Sequence, residues 1–301
     1  MGRSGSVARL GWLGRRSVRR SAITNRVRVT KLAAMKRARQ PIACVTAYDH
    51  ATARLVDEAQ IPVILVGDTL GEVVLGLDST IPVTLDDIVH HTKAVVRGAR
   101  RSLIVADMPF MTYQTDTADA LRNASRLLQE GGAQAVKLEG GEVVADSIRR
   151  LTECGIPVMA HIGLQPQSVH HLGGYRARGR TADEARQLLA DALAVQAAGA
   201  FAVVLELIPG AIAAAITKRL EIPTIGIGAG PGCDGQIQVI SDILGLGPRL
   251  PRHSKQYASL NGEIAGALAS YAAEVAGGGF PSSEHTLAVD PQVLDAIDGA
   301  D

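Results

Sequence analysis

The chain has 301 residues, 47% hydrophobic and 20% charged, with a formal net charge of +1, which is the balance of a globular protein with enough core to fold without disulfides or a structural metal. Glycine (32) and proline (13) are too few for a collagen-like or low-complexity chain, and no run of 18 uninterrupted apolar residues is present to span a bilayer. Nine aromatic residues imply an aliphatic core with little to stack on nucleic-acid bases, and three scattered cysteines (Cys44, Cys154, Cys233) point to a reducing compartment and to small buried residues rather than a disulfide framework.

From the N-terminus, no Asp or Glu precedes Asp49, while residues 1–48 hold twelve Lys or Arg; the remainder has 19 basic and 30 acidic groups, a formal charge of −11. A Ser/Arg-rich, acid-free leader reads as an organellar transit peptide, a disordered basic arm or a start codon placed too early. It is not a secretory signal, because Arg9, Arg15 and Arg16 break its apolar stretch. Residues 1–25 are expected to lie outside the fold, 26–285 to form one domain ending in helices, and 286–301 to form a tail. The setting is cytoplasmic, or mitochondrial if the leader is a transit peptide.

Beyond residue 41, short β-branched runs alternate with amphipathic stretches of helical length. The strands are expected at Ile42–Thr46, Val63–Val66, Ser102–Ala106, Ala135–Leu138, Pro157–Ala160, Ala202–Leu205 and Pro223–Ile227, with Gln236–Ile240 as an eighth. Nearly continuous apolar runs are what parallel strands covered on both faces show. Helices are expected at Ala118–Gln129, Val143–Cys154, Asp183–Ala198 and Gly210–Leu220, with a helical tail from Lys255 to Gly277. Three Ile-Pro steps (Ile61, Ile156 and Ile222, each followed by proline) mark returns from helix to strand. The pattern fits a (β/α)8 barrel, with a doubly wound open sheet as its rival.

The carboxyl ends of these runs bear ionisable residues: Asp68, Asp107, Lys137 with Glu139, His161 and Glu206. A single Asp there is a common helix N-cap; five successive strands ending this way are hard to explain by capping. In a barrel such residues converge on one mouth, where catalysis takes place. Carboxylates without a cysteine cluster suit a hard cation such as Mg²⁺, able to chelate a 2-oxo acid and to stabilise the enolate formed when a neighbouring C–H is deprotonated. Glu206 is the candidate base and Lys137 the partner for a substrate carboxylate; a structural ion pair between Lys137 and Glu139 is the bland alternative. Gly230–Gly235 matches a dinucleotide-binding glycine pattern but lacks the acidic residue expected about 20 residues on, so Gly226–Gly235 reads as a tight loop after a strand, lining the pocket. His90-His91 falls in a helix and His170-His171 in a loop, neither with metal spacing. A lyase or mutase sharing the acidic set, a class I aldolase using Lys137 as a Schiff base, and a nucleic-acid binder working through residues 1–48 are the rival functions.

Long ordered motifs run through the chain: Thr46-Ala-Tyr-Asp49, Val66-Gly-Asp68, Asp78-Ser-Thr-Ile-Pro-Val-Thr84, Ala106-Asp-Met-Pro-Phe110, Val136-Lys-Leu-Glu-Gly-Gly141, His161-Ile-Gly-Leu-Gln-Pro-Gln-Ser-Val169, Gly173-Gly-Tyr175, Gly226-Ile-Gly-Ala-Gly230 and Cys233-Asp-Gly-Gln236. From about Val27 to His285 the sequence resembles the ketopantoate hydroxymethyltransferase family. The resemblance implies a barrel of the phosphoenolpyruvate mutase type, a homodecamer, and transfer of a one-carbon unit from 5,10-methylenetetrahydrofolate to 3-methyl-2-oxobutanoate in pantothenate and coenzyme A biosynthesis. By position it implies Asp68, Asp107 and Glu139 as ligands of Mg²⁺ or another divalent cation. Asp68, Thr69, Asp107 and Lys137 would be substrate contacts, His161 a neighbour of the substrate, and Glu206 the proton acceptor. It implies no nucleic-acid or membrane partner. Thr69 stands where the family usually has serine, and Pro248–Tyr257 departs from the family pattern.

Overall fold

Eight short strands pair in chain order, each parallel to the next, and the first closes against the last. In the computed structural model, which describes residues 26–247 and 250–298, they are β1 (Ile42–Thr46), β2 (Val63–Val66), β3 (Leu103–Asp107), β4 (Ala135–Glu139), β5 (Val158–Gly163), β6 (Ala202–Glu206), β7 (Thr224–Ile227) and β8 (Gly235–Gln238). The fold is the closed barrel, and the open sheet is excluded. The basic leader, residues 1–25, lies outside the described residues.

β1 and β2 coincide with the expected runs, whereas β3, β4, β5 and β6 extend far enough to take in Asp107, Glu139, His161 and Glu206 themselves. The last strand differs more. Ile240 opens a short helix instead of ending a strand, and its amide donates to Thr46 Oγ1 at 3.0 Å. β7 reaches β8 through residues 228–234 with no helix between them, so Gly226–Gly235 is not a strand-to-helix loop; of its residues, only Ile227 lines the mouth cavity.

The helices are α1 (Val29–Arg37), α2 (His50–Glu58), α3 (Leu70–Val73), α4 (Leu85–Gly98), α5 (Thr117–Gln129), α6 (Ala145–Glu153), α7 (Val169–Leu172), α8 (Ala182–Ala197), α9 (Gly210–Arg219), α10 (Ile240–Leu244), α11 (Leu260–Ala276) and α12 (Pro291–Asp298). Local chemistry sets several starts. Thr84 accepts from the Asp87 amide while Asp87 accepts from Thr84, and Asp116 and Thr181 cap α5 and α8 in the same one-to-three spacing. His90 and His91 lie in α4 as expected; His170 and His171 lie in α7 rather than in a loop.

Period-2 alternation divides the strand side chains between two cores. Val45, Ile64, Val66, Ile104, Ala106, Val136 and Leu138 face outward to the helices. Ile42, Cys44, Val63, Leu65, Leu103, Val105, Ala135, Met159, Ala202 and Val204 fill the lumen, together with Leu32 and Met35 of α1. Residues 107, 137, 139, 161 and 206 share the parity of the lumen set, so continuing each strand to its end delivers an ionisable group to the inside of the mouth.

Part of the basic N-terminal region is structural. Arg26 donates to the carbonyls of Ser102 and Ala99, and Lys36 pairs with Asp234 at 2.8 Å. Of the cysteines only Cys44 is buried; Cys154 is exposed because it caps the end of α6. α11 has no buried residue, and Ile264, Leu268, Tyr271 and Val275 are exposed along it. Among the described residues no helix is long and apolar enough to cross a membrane.

Candidate active site

The strand ends meet as the sequence predicts. Asp68, Thr69, Asp107, Lys137, Glu139, His161 and Glu206 all line one cavity at the barrel mouth. Strand register brings them there in pairs: Asp107 lies beside Lys137 across β3 and β4, and Glu139 beside His161 across β4 and β5. Gly163 stands opposite Glu206 across β5 and β6. There the chains approach so closely that a Cβ on Gly163 would meet the Glu206 carbonyl oxygen at 2.2 Å, and its φ of +101° also demands glycine.

Burial makes these charges expensive and their pairing strict. Lys137 Nζ donates to Asp107 Oδ1 at 2.7 Å and lies 3.9 Å from Glu139 Oε1, with both pairs almost fully enclosed. Burial works against the ammonium, but Asp107, Glu139 and Asp68 outweigh it and hold its pKa above the ordinary lysine value. Thus Lys137 is more than the partner of Glu139; its shortest contact is to Asp107. Asp68 is pushed well above the carboxylate range by burial and then by the charges of Asp107 and Glu139. Asp107 is raised by burial and by Glu139 in spite of Lys137.

His161 bridges two acids. Its Nδ1 is 3.5 Å from Glu139 Oε1 and its Nε2 is 3.1 Å from Glu206 Oε2. Neither contact is an aligned hydrogen bond; both are charge contacts. Burial and Lys137 oppose protonation of the ring, yet Glu139 and Glu206 raise its pKa to about 9. Glu206 is the most open of the three, with a side chain 16% exposed against 3% for His161 and 2% for Glu139, so a small molecule entering the mouth can reach its carboxylate.

Two residues were not anticipated as part of the site. Gln167 donates from Nε2 to Asp68 Oδ2 at 2.8 Å and to the Met108 carbonyl at 2.9 Å, and its amide donates to Glu139 Oε2 at 3.1 Å. Tyr113 accepts from the Glu139 amide at 3.0 Å and donates to Gln167 Oε1 at 2.7 Å. Together they hold the acids of β2 and β4 in one orientation. The one signal for Gln167 was its place in the His161–Val169 motif; Tyr113 had none, since it lies in a loop and Gln167 in a three-residue 3-10 turn (Pro166–Ser168), neither with a periodic pattern.

Asp68, Asp107 and Glu139 are hard oxygen donors, and the two aspartates form a buried site short of positive charge. Glu139 Oε1 is buried without a hydrogen-bond partner. That donor chemistry fits a divalent cation. As the side chains stand, among the described residues no three His, Cys, Asp or Glu are already gathered around a common point: Asp107 is turned to Lys137 and Asp68 to Gln167.

Comparison with known proteins agrees with this architecture. The family model described as ketopantoate hydroxymethyltransferase matches residues 26–283. The 3-methyl-2-oxobutanoate hydroxymethyltransferase of Dehalococcoides mccartyi (strain CBDB1) is 55% identical over 273 residues, covering 90% of this chain and 98% of that protein. The enzyme of the same name from Chloroflexus aurantiacus (strain ATCC 29366 / DSM 635 / J-10-fl) is 56% identical over 276 residues, covering 91% and 98%. Among solved structures, a phosphoenolpyruvate phosphomutase from Streptomyces platensis subsp. rosaceus superposes with a TM-score of 0.56 at 16% identity, over 90% of this chain and 96% of that one. A phosphonopyruvate hydrolase gives a TM-score of 0.55 at 13% identity, over 90% and 95%. At such identities these two likenesses speak for the barrel fold alone.

Proposed function

The chain belongs to the ketopantoate hydroxymethyltransferase family, and on that premise we propose that it transfers a hydroxymethyl group from 5,10-methylenetetrahydrofolate to 3-methyl-2-oxobutanoate, giving 2-dehydropantoate for pantothenate and coenzyme A biosynthesis. The observation that carries the chemistry is the convergence of ionisable groups from β2 through β6 on a single cavity, with one of them, Glu206, open to it.

The substrate pairs a carboxylate and a keto group with an acidic C3–H. Lys137 supplies a fixed positive charge for the carboxylate. Its pairing with Asp107 keeps it protonated, which favours charge neutralisation over the Schiff-base role of a class I aldolase. Mg²⁺ or another divalent cation held by Asp68, Asp107 and Glu139 would chelate the 2-oxo acid and draw electron density from its carbonyl. Thr69, beside Asp68 on the cavity wall, adds a hydroxyl on the substrate side.

Glu206 takes the proton from C3 as general base. His161, between Glu139 and Glu206, keeps that carboxylate aimed into the cavity and balances its charge. The resulting enolate carbon bonds to the donor's methylene carbon in place of its first C–N bond, and a water oxygen then replaces the second. Water supplies the hydroxyl oxygen; the C3 proton and one proton from water end on the nitrogens of the departing tetrahydrofolate. Atoms and charge balance without an oxidant or reductant.

Self-association as a homodecamer belongs to the same proposal, supported by the exposed apolar row of α11, and so does a cytoplasmic setting, supported by three cysteines that form no disulfide. The deciding experiment is an assay of purified protein with 3-methyl-2-oxobutanoate, methylenetetrahydrofolate and Mg²⁺, each omitted in turn. Product is expected only with all three, and product formed without the folate would refute the donor.

A further inference from the structure

A second cavity opens beside the reaction site, between the loop after β1, helix α3 and helix α10. About 460 Å³ of it is open to the centre of a water molecule, against about 50 Å³ in the inner cavity. The inner one admits a small acid; the outer one is of the size that takes a ring system.

Two buried hydroxyls in its wall lack partners. Tyr48 is 4% exposed and Ser241 7% exposed, and neither Tyr48 Oη nor Ser241 Oγ has a hydrogen-bond partner among the described residues. Buried hydroxyls rarely go unpaired, so two in one wall point to a ligand that pairs with them. Val73 and Leu246 give the same cavity apolar surface, and Glu72 and Asp242 give it carboxylates. Asp242 accepts from Ser254 Oγ at 3.0 Å, and Glu72 from the Tyr175 hydroxyl at 3.3 Å, which leaves each carboxylate with acceptor capacity to spare.

The two cavities share a wall. Thr46 lines the inner one and accepts from the amide of Ile240, which lines the outer one. Tyr48 stands on the same divide: burial raises its pKa first, the neighbouring Thr46 hydroxyl opposes the rise, and the charges of Asp68 and Asp107 on one side and Asp242 on the other add to it.

We propose that this outer cavity holds the fused, pyrimidine-containing ring of the one-carbon donor, its faces against Val73 and Leu246 and its polar edge on Tyr48, Ser241 and Asp242. The ring's N–H groups suit the carboxylate and the hydroxyl oxygens, and its carbonyl suits a hydroxyl donor. Its reactive end then faces the shared wall. This rests on the reading of 5,10-methylenetetrahydrofolate as donor.

The test is equilibrium binding of tetrahydrofolate to the purified chain and three variants, with Mg²⁺-dependent exchange of the C3 proton of 3-methyl-2-oxobutanoate reporting that each barrel is folded. Ser241→Ala is expected to weaken tetrahydrofolate binding about 3- to 10-fold, the share of one hydrogen bond, and Ser241→Leu, which fills the cavity, to abolish it. Tyr48→Phe should weaken binding while leaving the unfolding midpoint of the free protein unchanged or higher, because it removes an unpaired hydroxyl; a merely structural tyrosine would lower that midpoint. If Ser241→Leu loses exchange through misfolding, Ser241→Ala decides. Wild-type affinity in both Ser241 variants overturns the cavity assignment and leaves the donor standing. A wild-type chain that exchanges the C3 proton yet binds no tetrahydrofolate overturns the donor and the cavity together.

Discussion

His161 Nε2 lies 3.1 Å from Glu206 Oε2, while the other ring nitrogen lies 3.5 Å from Glu139 Oε1. The ring therefore couples the proposed base to the acid of β4, and its pKa rises to about 9 despite burial and Lys137. In the unfolded chain a histidine titrates near about 6.5. A group whose pKa is raised by folding contributes its full stability below the unfolded value and loses it as pH climbs through the folded one. The metal-free protein should lose on the order of 3 kcal/mol of unfolding free energy between about pH 6.5 and 9. Urea titrations at pH 6, 7.5 and 9 check this; His161→Gln should flatten the profile, and an equally steep profile in that variant would assign the loss elsewhere.

Replacing Glu206 with glutamine removes the base and keeps the shape of the side chain. Turnover should fall by about 10²–10⁴-fold with KM for the oxo acid broadly unchanged, the pattern of a group that acts in the transition state. NMR of C3 proton exchange in D₂O isolates the step. Exchange at the wild-type rate in the variant would place the base elsewhere.

Removing divalent cations should abolish the same exchange, and adding Mg²⁺ should restore it, because Asp68, Asp107 and Glu139 then have a shared partner for their charge. Dialysis against a chelator followed by the exchange measurement is sufficient. Persistent exchange in the metal-free protein would leave these acids a purely structural role.

Asp57 offers a prediction far from the site. Its carboxylate accepts from the amides of Arg100, Arg101 and Ser102 and from Ser102 Oγ at 2.7–3.1 Å. Burial opposes its charge, but these donors outweigh burial and hold its pKa below the usual aspartate value. That contribution is present above about pH 3.9 and disappears as pH falls through the lowered folded value. Asp57→Ala should cost about 2–4 kcal/mol at pH 7 by stranding buried donors, with kcat/KM intact, and the deficit relative to wild type should shrink on acidification. Chemical denaturation at pH 7 and pH 3 measures both.

Much of the site was legible before the fold was known. A parallel strand is covered on both faces, so it writes itself as an apolar run, and the residues just past that run are the ones the mouth receives; Asp107, Glu139, His161 and Glu206 directly follow their runs, and Asp68 comes one residue later, after Gly67. Period-2 alternation also places Lys137 and Glu139 on one face. Tertiary structure decided what binds these groups together. Gln167 meets Asp68 across 99 residues of chain, and Tyr113, Tyr48 and Ser241 come from loops or a short helix whose local sequence has no period to read. Which acid Lys137 prefers, that His161 joins two carboxylates, and that a second cavity shares a wall with the first depend on strand register and loop closure. Those are long-range contacts, and a one-dimensional pattern holds only the short-range ones.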